Sequence, residues 1–256
     1  MSREIRYRLL GKLFVLAFLS FCIWEFSGSA GLSQRGKVLI PLSPQQLHVE
    51  GGVIPVELRC TSGQSSAPGV LDSFSCVLLN NTNKGITAAN VIYSVVFKQN
   101  GSESRVSYAS TVDKLLHPDF ASASRPIKPG MQSGNVGPPG PISSEGADVI
   151  GVEISIDYVE FEDGSRLGPD KQGSRIIGEM RGGAEKYKEW LRRQYVKSGR
   201  PSKPITSVLN EQQLPSELQI SSGDEKEGAK AYRARLRKMS ELKGEAEVKH
   251  LLGVDQ

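Results

Sequence analysis

Histidine, tryptophan and cysteine are all scarce in this chain, with three His, two Trp and three Cys in 256 residues. The histidines His48, His117 and His250 are scattered, with no Cys or carboxylate at ligand spacing, so the sequence offers no zinc-type site. Trp24 and Trp190 both lie outside the middle of the chain. A large charge excess is missing too: residues 1–30 hold four basic and two acidic side chains, which leaves the remainder at about +2 and without a nucleic-acid signature. Apolar residues with glycine reach the ordinary globular range, which excludes disorder of the whole chain.

Long apolar runs are also lacking. The longest runs from Leu13 to Trp24. It is too short to cross a bilayer as a helix, which takes roughly 20 residues. It follows Arg3, Arg6, Arg8 and Lys12 and precedes the small residues Ser27-Gly-Ser-Ala30. Basic, apolar, then small is the order of a signal peptide, with cleavage expected after Ala30. The alternative is a retained anchor over residues 9–24, with Leu9 and Leu10 lengthening the span and Lys12 reaching back to the interface. Both readings place the folded part outside the cytoplasm, periplasmic or secreted in the first case.

Removing Cys22 with that segment leaves Cys60 and Cys76. Apolar residues alternate at 54, 56, 58 and 60 and again at 74, 76 and 78, so both thiols point inward. In an oxidising compartment the pair is a candidate disulfide, worth roughly 3 kcal/mol for a loop of about 15 residues; reduced, the two behave as small buried hydrophobes.

From about residue 50 to 165 the pattern is β. Alternation recurs in 53–60, 74–79, 88–98, 105–112 and 148–161, with Gly, Asn, Ser and Pro between the runs. In the last run Ile150, Val152, Ile154 and Ile156 share a face, then the phase moves to Val159 and Phe161, which predicts a β-bulge. Asn80 to Gly85 and Glu162-Asp-Gly164 read as turns, and the Pro- and Gly-rich stretch 122–146 as a long surface loop.

Near residue 174 the period changes: Ile177, Met180, Ala184, Tyr187, Leu191 and Tyr195 fall on one face of an amphipathic helix, which Gly182-Gly183 is expected to weaken. A linker at 199–223 with one short turn precedes a charged helix whose stripe is Tyr232, Leu236, Met239, Leu242 and Ala246. The expected division is 1–30 signal or anchor, 31–49 leader, 50–172 β-sandwich, 173–198 amphipathic helix, 199–223 linker and 224–256 charged helix.

Several motifs come near to chemistry and fall short. Gly31-Leu-Ser-Gln-Arg-Gly-Lys37 has the spacing of a phosphate loop, but Val38 replaces the magnesium-binding hydroxyl and no buried strand precedes it. Ser240-Glu-Leu-Lys243 and Lys197-Ser-Gly199 stand in the reverse order from penicillin-interacting enzymes. Asp157, Glu160, Glu162, Asp163 and Asp170 offer oxygens without the regular spacing of a calcium loop. No residue is nominated as catalytic, cofactor-binding or metal-binding, and no cofactor is expected. Asn80-Asn-Thr82 and Asn100-Gly-Ser102 fit the N-glycosylation pattern.

One charge feature stands out. Between Arg175 and Arg200 eight basic residues face only Glu179, Glu185 and Glu189. With aromatics interleaved, Arg181, Lys186, Lys188, Trp190, Arg192 and Arg193 are the candidate surface toward an acidic partner or an anionic membrane. The plainer reading docks this helix on the sandwich with its basic face in water.

Short β-runs without intervening helices predict an antiparallel sandwich. The strand–turn–strand from Cys76 through Val77-Leu-Leu-Asn-Asn-Thr-Asn-Lys-Gly-Ile86 to Asn90-Val-Ile-Tyr-Ser-Val-Val-Phe97 resembles immunoglobulin-like modules of exported bacterial proteins, over about residues 50–165. The resemblance is one of architecture and implies a mainly β, antiparallel immunoglobulin-like sandwich, preceded by a signal or anchor helix and followed by a helical C-terminal extension. The expected role is non-enzymatic, binding or supporting a protein or another envelope component; the alternatives are an exported hydrolase with a dispersed site and a membrane-anchored structural subunit.

Overall fold

A computed structural model describes residues 38–47, 54–67, 69–114, 116, 125–138, 140–196 and 204–254. The export segment, the phosphate-loop lookalike apart from Val38, His48, His117 and Lys197-Ser-Gly199 lie outside the described residues.

Strand residues outnumber helical ones, and nearly all strand pairs are antiparallel. Two strands of 14 residues, β7 (Ile86–Gln99) and β10 (Asp148–Phe161), form the centre of the main sheet. The sheet continues through β7 to β8 (Ser102–Asp113), and the far edge of β10 receives β2 (Leu42–Gln45) in parallel and β11 (Arg166–Leu167) antiparallel. Asn100 and Gly101, with φ of 51° and 83°, make the two-residue turn between β7 and β8. Asn-Gly favours this backbone. One of the two glycosylation patterns is therefore a hairpin turn. The other is buried, because the Asn80 amide is inaccessible and donates to Lys84 and Ile127 carbonyls.

A second layer pairs β3 (Val56–Cys60) with β6 (Cys76–Asn80). Its other side carries part of the surface loop expected at 122–146: backbone bonds from Asn80 to Met131 (3.0 Å), from Ser133 to Leu78 (2.8 Å) and from Val136 to Cys76 (2.8 Å) lay residues 130–136 along β6. No apolar alternation announces this strand-like segment, because Ser133 and Asn135 side chains share in holding it by accepting from Leu78 and Cys76 N–H groups. Two short pairs, β1 (Val38–Ile40) with β4 (Gly63–Ser65) and β5 (Val70–Leu71) with β9 (Ile142–Ser143), complete the β part.

The layers share one hydrophobic core. Val56, Leu58, Cys76 and Leu78 meet Val91, Tyr93, Val95 and Phe97 of β7 and Val152, Ile154 and Ile156 of β10. The β7–β10 register shifts between Ile156 and Tyr158, where the sequence phase moves, and again between Val149 and Gly151. The second shift corrects one core assignment: Val149 enters the core and Ile150 stays half-buried.

Four helices follow among the described residues: α1 (Gly173–Val196), α2 (Ile205–Leu209), α3 (Gly223–Lys243) and α4 (Glu245–Leu252). Their own core gathers Ala184, Tyr187 and Leu191 of α1, Ile205 and Leu209 of α2, Tyr232, Leu236 and Met239 of α3, and Val248 and Leu252 of α4. Residues 204–220 therefore carry buried side chains, with Leu214, Leu218 and Ile220 packed against that core. The stripe read as reaching Ala246 ends at Met239: Gly244, at φ 87°, breaks the helix and leaves Leu242 exposed. Glycine at a helix end takes such a backbone without a side-chain clash. A smaller cluster, Ala88, Tyr158 and Ile177, joins α1 to the outer face of the main sheet.

Candidate functional site

The placement of α1 begins with two carboxylates. Asp157, buried on β10, accepts N–H bonds from Lys171 (2.8 Å) and Gln172 (3.1 Å). Asp170 accepts from the Ser174 N–H (2.8 Å) at the start of α1, in the manner of an N-terminal cap. Carboxylates at the positive end of the helix dipole are favourable there. Gly173 lies so close to Tyr158, Asn90 and Asp157 that a side chain would have no room.

Two turns further on, Arg181 fixes the helix to the sheet. Its Nε donates to Asp113 Oδ2 (2.8 Å), and its two terminal nitrogens reach both oxygens of Glu160 (3.1 and 2.9 Å). Thr87 and Tyr158 hydroxyls donate to the same Glu160 carboxylate. Burial alone would lower the Arg181 pKa, but the bonds to Glu160 and Asp113 outweigh it and hold the guanidinium above its usual range. Burial likewise pushes the Glu160 carboxyl up, and its bonds to Arg181, Thr87 and Tyr158 overcome this and hold it low. Arg181 thus serves an internal ion pair that spans β8, β10 and α1.

The other residues of the candidate basic surface divide between inward and outward tasks. Lys186 Nζ lies 2.8 Å from each oxygen of Glu225 and 2.9 Å from the Gln219 carbonyl, so it binds α1 to the start of α3. Glu225 also accepts from the Ser221 N–H, while the Ser222 hydroxyl accepts from Glu225 N–H and donates to Glu179. Trp190 is half-buried, packed beside Tyr187 with ring centroids 5.7 Å apart. Lys188 and Arg192 pair within the helix with Glu185 and Glu189, and Arg193 donates to the Glu189 carbonyl. Lys188, Arg192 and Arg193 therefore stay at the surface, while Arg181, Lys186 and Trp190 join elements of this chain.

The acidic group at the end of β10 is likewise dispersed among structural tasks. Besides Asp157, Glu160 and Asp170, Glu162 accepts from Gly85 N–H, and Asp163 pairs with Lys84 at 2.6 Å. The bond from Lys84, then those from Ser165, hold the Asp163 carboxyl well below the carboxylate range. Among the described residues no group of three or more His, Cys, Asp or Glu is arranged to hold a metal ion. The Ser240 backbone carbonyl accepts the Gly244 N–H at the end of α3, and Lys243 faces Glu247 at 3.5 Å.

Cys60 and Cys76 form a disulfide. They are directly opposed residues of the paired strands β3 and β6, with Cα atoms 4.0 Å apart. The bond therefore closes a ladder within one layer. Cys76 is fully buried and Cys60 partly so.

The most accessible feature was not singled out from sequence. Every residue of β8 from Ser102 to Ala109 is exposed, although β7 beside it is largely buried. Its register against β7 is unbroken from Ser102 to Asp113. Tyr108 stacks on Tyr93 at 5.5 Å, and Tyr93 meets Phe74 edge-on at 5.3 Å, so an aromatic ladder leads from the core to the open strand. The alternation read over 105–112 puts Val106 and Tyr108 on one face, yet both stay exposed in a run rich in hydroxyl side chains.

Compared with known proteins, the chain matches no family model, no curated protein and no solved structure.

Proposed function

We propose that this chain is an exported, non-enzymatic protein that binds or supports a protein component of the envelope or extracellular space through an immunoglobulin-like β-sandwich with a helical extension. The observation that carries the reading is the Cys60–Cys76 disulfide, compatible with an oxidising destination and with the basic-then-apolar N-terminal segment. The sandwich reading draws support from the shared core of two layers, β3–β6 with residues 130–136 and β8–β7–β10 with its edge strands. A binding role draws support from the way the ionic groups of α1 and β10 are spent on joining elements, while β8 remains accessible.

The test is fractionation of producing cells, with mass spectrometry of the intact chain after thiol alkylation and of its N-terminus. The expected result is protein outside the cytoplasm with Cys60 and Cys76 unalkylated until reduction. A mature N-terminus at Gly31 identifies cleavage after Ala30; a retained Met1 with membrane association identifies an anchor over residues 9–24. Cytoplasmic protein with both thiols free, or turnover of a substrate mapped to a defined pocket, would overturn the reading.

A further inference from the structure

We infer that β8 is a strand-pairing edge, and that its occupant is β8 of a second copy of this chain, joined antiparallel about a two-fold axis through Ser107. This names a partner beyond the binding role proposed above, and localisation does not enter its test.

The other edges are managed. The far side of β10 is covered by β2 and β11. The open side of β3 is blunted by Gln46, whose side-chain amide donates to the Leu58 carbonyl and accepts its N–H, both at 2.9 Å, in the manner of a neighbouring strand. The open side of β6 carries residues 130–136. Of the three long strands in the main sheet, β8 alone has no neighbour on its outer side among the described residues; the opposite edge is made of the short β2 and β11, of four and two residues. It runs for 12 residues with no Pro, no Gly, no bulge and no charge from Val106 to Thr111. Those are the devices that normally protect an edge.

Self-pairing follows from the side chains. Opposite residues of antiparallel strands share a face, so a two-fold through Ser107 sets Val106 against Tyr108 of the second copy, twice. These are the strand's two large exposed apolar side chains, at 42% and 36% exposure, and they lie on the core side opposite Val95 and Tyr93. A β-branched residue facing an aromatic is a favourable cross-strand pair. Arg105 meets Ala109, Glu103 meets Thr111 and Ser104 meets Ser110, so no like charges oppose each other. The second copy would continue the Phe74–Tyr93–Tyr108 ladder across the joint.

The test is sedimentation velocity on the purified full chain over a series reaching ~100 µM, because a small interface gives weak affinity. The expected result is a reversible monomer–dimer equilibrium. Val106→Lys with Tyr108→Lys sets lysines opposite each other and weakens association at least about tenfold. Val106→Lys with Tyr108→Glu sets opposite charges in the same register and restores it. Both variants alter exposed positions, and matching circular dichroism and unfolding midpoints verify their folds. A chain that stays monomeric throughout, a dimer indifferent to the paired lysines, or failure of the Lys/Glu variant to recover association overturns the inference.

Discussion

At the residue scale, Arg181 concentrates the largest electrostatic commitment in the described structure. Asp113 is 2% exposed in its side chain and Glu160 17%, so deleting the guanidinium removes the paired cation from two poorly hydrated carboxylates. Arg181→Leu is expected to lower stability by about 3 kcal/mol in urea unfolding, and Arg181→Lys to recover little, because an ammonium cannot reproduce the forked contacts. The same node has a pH signature. Since Glu160 titrates below the ordinary 4.5 in the fold, its stabilisation is complete above that value and is lost as pH falls through the depressed one. Unfolding midpoints from about pH 7 to about pH 3 should fall less on the acid side for Glu160→Gln than for the native chain. Tyr187 carries the opposite kind of signature. Its wholly buried hydroxyl has no hydrogen-bond partner among the described residues, and burial drives its pKa far up. Tyr187→Phe should raise stability by about 1 kcal/mol in the same assay, since it removes an unpaired polar group and keeps the ring.

At the element scale, the neighbouring glycines of α1 have opposite meanings. A Cβ on Gly183 would overlap the backbone oxygen of Glu225, and one on Gly228 would overlap that of Met180, so α1 and α3 touch backbone to backbone at this crossing. Around Gly182 the nearest atom is 3.9 Å away, a side-chain oxygen. Gly183→Ala is therefore expected to cost roughly 1–3 kcal/mol by forcing the helices apart, whereas Gly182→Ala should stabilise by up to about 1 kcal/mol through helix propensity. Thermal unfolding of the two single variants checks the difference in sign. Helix propensity read from sequence treats both positions alike, as weaknesses of α1. Only the opposing helix distinguishes them.

At the scale of the whole molecule, the disulfide and the two cores set the balance. Cys60 and Cys76 are 16 positions apart, and closing such a loop is worth about 3 kcal/mol in the chain-entropy model. Cys60→Ala with Cys76→Ala should lose about that much in guanidinium unfolding, and reductant should reproduce the loss in the native chain. The principal strands β3, β6, β7, β8 and β10, the bulge after Ile156 and the amphipathic α1 were legible. Alternation along a strand and the helical period are both consequences of burial on one face. Short strands such as β5 and β9, two residues each, leave no periodic trace.

Sequence determined the β-rich class and the inward direction of both cysteines, since each follows from local period. It also set the hairpin turn at Asn100-Gly101, through the backbone freedom of those residues. Tertiary structure decided that Cys60 and Cys76 are direct cross-strand partners and that Arg181 spans β8, β10 and α1. It also decided that Gly183 is a contact and that the outer side of β8 has no strand neighbour among the described residues. Each of these depends on which distant segments meet, and pairing between strands and helices far apart in the chain has no local period from which to read it.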